Sequence, residues 1–302
     1  MLAQYTRLRC FQLTSEMAGQ PAGKIHSMPE LPEVETMVRD LEGQMVGRRI
    51  TGVDLPFAAE VKYPDPLEFR DRVVGRTVNA ISRRGKYAAF QLDGADVLII
   101  HRGMTGSLFL RNSSDPQEAH IRVLFRLDDG RELRFNDPRK FGSVLLMERS
   151  GLERPLPWLR MGPEPLDDEF DAATLRRALA RRTALLKPLL LNQSVVAGLG
   201  NIYADEALHL ARIHPQRRAD TLSTHETKRL HAAIRTVLAE AIAGRGTTFS
   251  SYRDYEGREG DFQHRLRVFG RTGAACPRCG TAIIKLVVGG RGTHMCPRCQ
   301  KV

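Results

Sequence analysis

Apolar positions along the chain change period twice. Val34, Met37, Val38 and Leu41 recur at i, i+3, i+4 and i+7 with Gly43 close behind, which predicts an amphipathic helix opening at Leu31, three residues after Met28. Strand-type stretches follow over Arg76–Leu92, Val97–Leu110 and Ile121–Phe135, where Val123, Phe125 and Leu127 alternate ahead of the turn Asp128-Asp129-Gly130. Past the proline-rich Met161–Pro165 the helical period returns through Leu175–Leu191, Ile202–Ala211 and His225–Ala243, the last with Leu230, Ile234, Leu238 and Ile242 on one stripe and Gly244 as its stop. The pattern predicts an α+β multidomain chain: an aperiodic extension over 1–27, a β-rich domain with a helix over 28–160, and a helical domain over 161–246. A polar loop over 247–261, rich in Gly and Tyr, and a cysteine module over 262–302 complete it.

The charge sharpens this picture. Among 302 residues, 46 Lys and Arg face 35 Asp and Glu, a net charge of +11 that favours a polyanionic partner. The alternative at this level is a solvated basic surface. No run approaches the ~18 apolar residues of a membrane span, so no membrane association is expected. The extension lacks the apolar core of a signal peptide, and a start at Met28 explains it more simply than a transit peptide does.

Four of five cysteines fall in the last 27 residues as Cys276-Pro-Arg-Cys279 and Cys296-Pro-Arg-Cys299. Two such knuckles place four thiolates on one tetrahedral ion, a structural Zn2+ with no position open to water, and fit a reducing cytoplasm better than a disulfide framework. The apolar run Ile283–Val288 followed by Gly289-Gly290 predicts a β-hairpin with Arg291 near its tip, where a guanidinium forks onto a phosphate or simply stays solvated; local features do not separate the two. In Asn192–Glu206 the glycines Gly198 and Gly200 allow close backbone approach, and Asn201 stands where it would cap the next helix. Helix, glycine turn and helix so arranged could clamp a DNA backbone at the amides of that N-terminus, though capping alone already accounts for the asparagine.

Met28-Pro29-Glu30-Leu31-Pro32-Glu33 is a second candidate. If translation begins at Met28, removal of that methionine exposes Pro29 as a secondary amine whose pKa near ~8 leaves an unprotonated nucleophilic fraction at neutral pH, beside the carboxyls of Glu30 and Glu33. On local features alone a proline-punctuated helix start is the better account of the segment, and only its conjunction with the basic charge, the glycine turn and the cysteine module overturns it.

Taken together, Met28–Glu35, Arg84-Gly-Lys86-Tyr87, His101-Arg-Gly-Met104-Thr-Gly-Ser107, Asp137-Pro-Arg139-Lys-Phe141-Gly142, Gly198–Glu206 and the cysteine module resemble the formamidopyrimidine-DNA glycosylase family from Met28 to Lys301. The resemblance implies an N-terminal β-sandwich with flanking helices, a helix-two-turn-helix domain and a zinc-finger hairpin, with DNA between the halves. It implies excision of oxidised purines, 8-oxoguanine and formamidopyrimidines, from duplex DNA through a Pro29 Schiff base, followed by β,δ-elimination. Glu30 is then the proton donor, with Glu33 and Lys86 completing the catalytic set. Lys86, His101, His120, Asn201 and Arg291 match DNA-contacting positions, and Met104, Arg139 and Phe141 match those that fill the vacated base stack. The 247–261 loop matches the one that covers the extruded purine. A bacterial cytoplasmic monomer is the expected form. An endonuclease VIII-like enzyme for oxidised pyrimidines, a Lys86 nucleophile and a zinc-stabilised DNA-damage binder without catalysis are the competing readings.

Overall fold

Helix α1 (Leu31–Met45) starts at the predicted residue but runs two residues beyond Gly43, because Met45 extends the buried stripe of Val34, Met37, Val38 and Leu41 one turn further. The left-handed Gly47 (φ +83°) then turns the chain into the first sheet. The computed structural model describes residues 29–150, 160–180, 182–249 and 252–301; the extension over 1–27 lies outside them.

Each predicted strand stretch divides into a pair. Arg76–Leu92 becomes β3 (Val78–Arg84) and β4 (Tyr87–Leu92), split by Gly85 at φ +56°. Val97–Leu110 becomes β5 (Asp96–His101) and most of β6 (Ser107–Asn112), and Ile121–Phe135 becomes β7 (Ile121–Leu127) and β8 (Arg131–Asn136). With β1 (Ile50–Asp54), β2 (Val61–Tyr63) and β9 (Ser143–Glu148) they form two sheets, ordered β1-β7-β8-β6 and β2-β9-β5-β4-β3. The apolar faces of both sheets, α1 and α2 (Pro66–Val73) close one core around Phe69, Phe90, Phe125 and Phe135.

The helical half contains α3 (Ala172–Leu179), α4 (Leu186–Leu191), α5 (Asn201–Ala211) and α6 (Thr224–Ala243). The single helical stretch expected over Leu175–Leu191 is therefore two helices. Their core includes Tyr203, Ile234 and Leu238, and it also takes Phe262, Leu266 and Phe269 from beyond the polar loop and Leu31 from α1. Leu31 plugs the turn before α5: a Cβ on Gly198 would lie 2.7 Å from that of Leu31, and the Leu31 N–H donates to the Gly198 carbonyl at 3.0 Å. A second tie is ionic, since the β3–β4 turn offers Arg83, Arg84 and the Gly85 N–H to the Glu164 carboxylate. The end of the chain is the hairpin β10 (Ile284–Val288) and β11 (Arg291–Met295), joined through Gly289 and Gly290, both at positive φ.

Candidate active site and nucleic-acid interface

Pro29 and Glu30 lie where α1 meets α5, and both are buried. The Glu30 carboxylate accepts hydrogen bonds from the amides of Ile202 (2.8 Å) and Tyr203 (3.4 Å), the first turn of α5. It fits only because residue 200 has no side chain: a Cβ there would stand 2.3 Å from the Glu30 carboxyl carbon. This corrects the expectation for Asn201. The N-cap of α5 is Gly200, and the anion at the helix start is a side chain of the protein itself.

Glu33 lies one turn along α1 and accepts hydrogen bonds from the amides of Glu30 and Thr247, each at 2.8 Å, and from the Tyr203 hydroxyl. Burial raises the pKa of both carboxyls, Glu30 to about 7 against the opposing pull of Lys86 and with reinforcement from Glu33. Lys86 is itself buried, which lowers its ammonium pKa while Glu30 and Glu33 raise it. The result is a buried pocket in which one carboxyl retains its proton close to neutrality. Tyr203 had no role in the sequence reading, and Thr247 entered it only as the first residue of the 247–261 loop; Tyr203 sits inside the glycine-turn motif, but nothing in its spacing marks it as the support of Glu33.

Around this pocket stand the expected DNA-contacting residues. His101, at the end of β5, is held neutral, its pKa pushed down to about 4 by burial and by Lys86 and Arg102. Its Nδ1 accepts the Gly103 N–H at 3.2 Å, so the neutral ring carries its proton on Nε2, a donor of the kind a phosphate oxygen needs. The Asn201 Nδ2 donates to the Gly292 carbonyl at 3.2 Å, tying α5 to the hairpin whose exposed tip carries Arg291. Buried beneath them, Lys187 pairs with Asp205 (2.7 Å) and donates to the Gly292 carbonyl and Thr293 Oγ1, while the His294 N–H donates to Asp205. No periodicity or motif singled out Lys187 or Asp205.

Met104, Arg139 and Phe141 lie on two loops that meet back to back. A Cβ on Gly103 (φ +63°) would lie 2.5 Å from the Phe141 carbonyl carbon. The fully buried Asp137 fastens both loops: its carboxylate accepts the amides of Arg139 (3.2 Å), Phe141 (2.8 Å) and Gly142 (2.8 Å) and the Thr105 hydroxyl (2.6 Å). Phe141 is left 54% exposed, with the Arg139 guanidinium 4.9 Å from its ring centre. Met104 is half-buried. His120 is exposed at the foot of this loop, its carbonyl accepting the Asp137 N–H.

The four cysteines bring their sulfur atoms within 4.8 Å of one another, with Cys279 and Cys296 at 3.4 Å and Cys276 and Cys299 at 4.0 Å. Sulfurs at the corners of a tetrahedron of ~2.3 Å Zn–S bonds stand about 3.8 Å apart, so this donor set fits one Zn2+.

The helix end at Gly244 leads into the polar loop, whose described part is well tied. Asp254 accepts from Arg245 (2.8 Å), from the Glu256 amide (3.0 Å) and from Arg258, and the Tyr255 carbonyl accepts the Leu110 N–H at 3.1 Å. The loop is thus anchored on β6 of the sandwich.

A β-sandwich, a helical domain and a four-thiolate hairpin converging on a proline and two buried carboxyls define the class of zinc-finger DNA-repair glycosylases. The sequence model of the formamidopyrimidine-DNA glycosylase N-terminal domain matches residues 28–144, that of the same family's H2TH domain matches 161–252, and that of the zinc finger found in FPG and IleRS matches 273–302. A formamidopyrimidine-DNA glycosylase of Symbiobacterium thermophilum is 50% identical over 275 residues, 91% of this chain and 90% of the relative. Among solved structures, a Lactococcus lactis FPG mutant bound to Fapy-dG containing DNA aligns with TM-score 0.84 and 38% identity over 91% of this chain and 100% of that one. The MutM (FPG) protein from Thermus thermophilus aligns at 0.82 with 42% identity over 90% and 98%. The chain belongs to the formamidopyrimidine-DNA glycosylase family, the base-excision glycosylases of DNA repair.

Proposed function

We propose that this protein, beginning at Pro29, excises oxidised purines from duplex DNA and then cleaves the strand, with Pro29 as nucleophile and Glu30 as proton donor. The observation that carries the reading is the Glu30 carboxyl: buried beside Pro29, seated on the α5 amides and raised to about 7, it holds a proton to give at neutral pH. Attack of the Pro29 nitrogen on C1′ breaks the bond to the base, which leaves with the proton shed by the amine, and Glu30 protonates the sugar ring oxygen as the C1′–O4′ bond opens. The amine then forms an iminium, an electron sink that acidifies the C2′ proton and permits β- and then δ-elimination. Glu33, locked by Tyr203 and Thr247, sets the negative field around the cationic intermediate. A peptide bond from residue 28 would remove the lone pair from the Pro29 nitrogen, so the activity belongs to the processed chain.

Lys86, His101, His120, Asn201 and Arg291 grip the strand, the neutral His101 through Nε2–H and Arg291 from the hairpin tip. Phe141, Met104 and Arg139 occupy the gap left by the extruded nucleotide, offsetting an unstacking cost of a few kcal/mol, and the 247–261 loop closes over the extruded base. Zn2+ bound by Cys276, Cys279, Cys296 and Cys299 supplies structure, holding the hairpin whose backbone receives Asn201 and Lys187. The protein acts as a cytoplasmic monomer on one lesion.

Borohydride trapping tests the reading. Protein beginning at Pro29, incubated with a duplex carrying 8-oxoguanine opposite cytosine, is expected to yield a crosslinked peptide at Pro29, and the same protein beginning at Met1 to yield none. Tight binding with no crosslink from the processed protein would overturn it.

A further inference from the structure

Two arginines, Arg102 and Arg134, are buried almost completely, at 1% and 0% exposure. Arg134 is fully served: Glu132, Glu118 and the carbonyls of Pro116, Asn112 and Asp115 accept from all three of its nitrogens. Arg102 is not. Its Nε donates to the Gly106 carbonyl at 2.7 Å, its Nη2 makes only 3.4 Å contacts with Ser107 Oγ and the Arg253 carbonyl, and its Nη1 has no partner among the described residues. No carboxylate among the described residues forms an ion pair with it. Its guanidinium instead lies 5.1 Å from the ring centre of Tyr252, a 5% exposed side chain whose hydroxyl is also without a partner there.

A buried charged group with an unmatched donor is costly, and a guanidinium over an aromatic face offsets only part of that cost. Packing of the sandwich core thus gives no reason for an arginine at this position. Its placement does. The Gly106 carbonyl fixes the guanidinium within the loop that carries His101 and Met104, and from there it reaches Tyr252 and Arg253, some 150 residues further along the chain. We propose that Arg102 is a positioning residue: it latches Tyr252 and Arg253 to the His101–Met104 loop, so that the cover over the extruded purine and the filler of its vacated place are set as one unit.

The functional half of this inference rests on the proposed activity, and its structural half does not. The test uses Arg102→Leu and Arg102→Lys in the processed protein, with amide hydrogen exchange over 252–256 in the free protein as the first readout. The second is the ratio of 8-oxoguanine excision to cleavage at a preformed abasic site, which misfolding scales equally. Both variants are expected to speed exchange in this segment about tenfold with the rest of the sandwich unchanged, and to lower the ratio about tenfold. Lysine does not rescue, because it keeps the charge but lacks the flat face that stacks. Unchanged exchange at 252–256, faster exchange throughout the sandwich, or an unchanged ratio would each overturn the latch. A wild-type protein inactive on both substrates would remove the proposed function, and the exchange readout would still decide whether the latch exists.

Discussion

The carboxyl pocket and the Phe141 loop are built on opposite principles. In the pocket, Glu30 and Glu33 are each 2% exposed, and burial forces their protons to be held more tightly while amides and the Tyr203 hydroxyl fix their positions. In the loop the carboxylate is the hidden part: Asp137 commits its lone pairs to three amides and the Thr105 hydroxyl so that an apolar ring can stand in solvent. One region tunes an acid by removing water. The other uses an acid as a fastener so that an exposed apolar side chain keeps its place. On the proposed reading, chemistry and strand opening are expected to separate by mutation.

Replacing Glu30 by Gln gives the largest effect, because it removes the proposed proton donor while keeping an acceptor for the Ile202 amide: base excision is expected to fall about 10²- to 10⁴-fold in single-turnover assays. The same variant gains stability. The folded pKa of Glu30 stands near 7 against an ordinary 4.5, so its contribution is full at low pH and is lost as pH rises through about 7. Glu30→Gln is therefore expected to melt higher than wild type at pH 8 and alike at pH 4. Asp137→Asn comes next. It leaves the pocket intact but turns part of an acceptor into a donor facing amides, a local cost of about 1–3 kcal/mol, and is expected to slow excision of a paired lesion about tenfold while cleavage at an abasic site changes less. If the two activities fall together, strand opening and chemistry are not separable.

The smallest effect sharpens the contrast from beneath the loop. Glu60 is fully buried under Gly142, both carboxyl oxygens lack partners among the described residues, and burial together with Asp137 raises its pKa. Protonated, it is tolerated; ionised, it strains the fold, so its stability contribution is present at low pH and lost as pH rises through the raised value. Glu60→Gln is expected to raise the melting temperature at pH 8 by about 2–4 °C, and by less at pH 4.

Much of this was legible in the chain. The α1 stripe, the cysteine knuckles and the Gly289-Gly290 hairpin are local patterns, and local physics placed them within a residue or two. Strand pairs fused into single stretches, since a turn such as Gly85-Lys86 interrupts alternation too briefly to register. Arg291 was found but not decided, because a tip arginine looks the same whether it meets phosphate or water. Asn201 was misread for a different reason. The group that occupies its helix terminus arrives from about 170 residues upstream, and no window of sequence contains both partners. Lys187, Asp205 and the Asp137 fastener were missed likewise: each is defined by the amides and carbonyls around it, which tertiary docking alone brings close.

The missing side chain at Gly200 carries a consequence for the assembly of the pocket. The acid lies near the start of the sandwich, but its seat is made of amides at 202 and 203, and the neighbouring carboxyl waits for Thr247. A chain that has folded only its sandwich holds the two carboxyls without the amides that seat them. The pocket is thus completed only when the second half folds against the first.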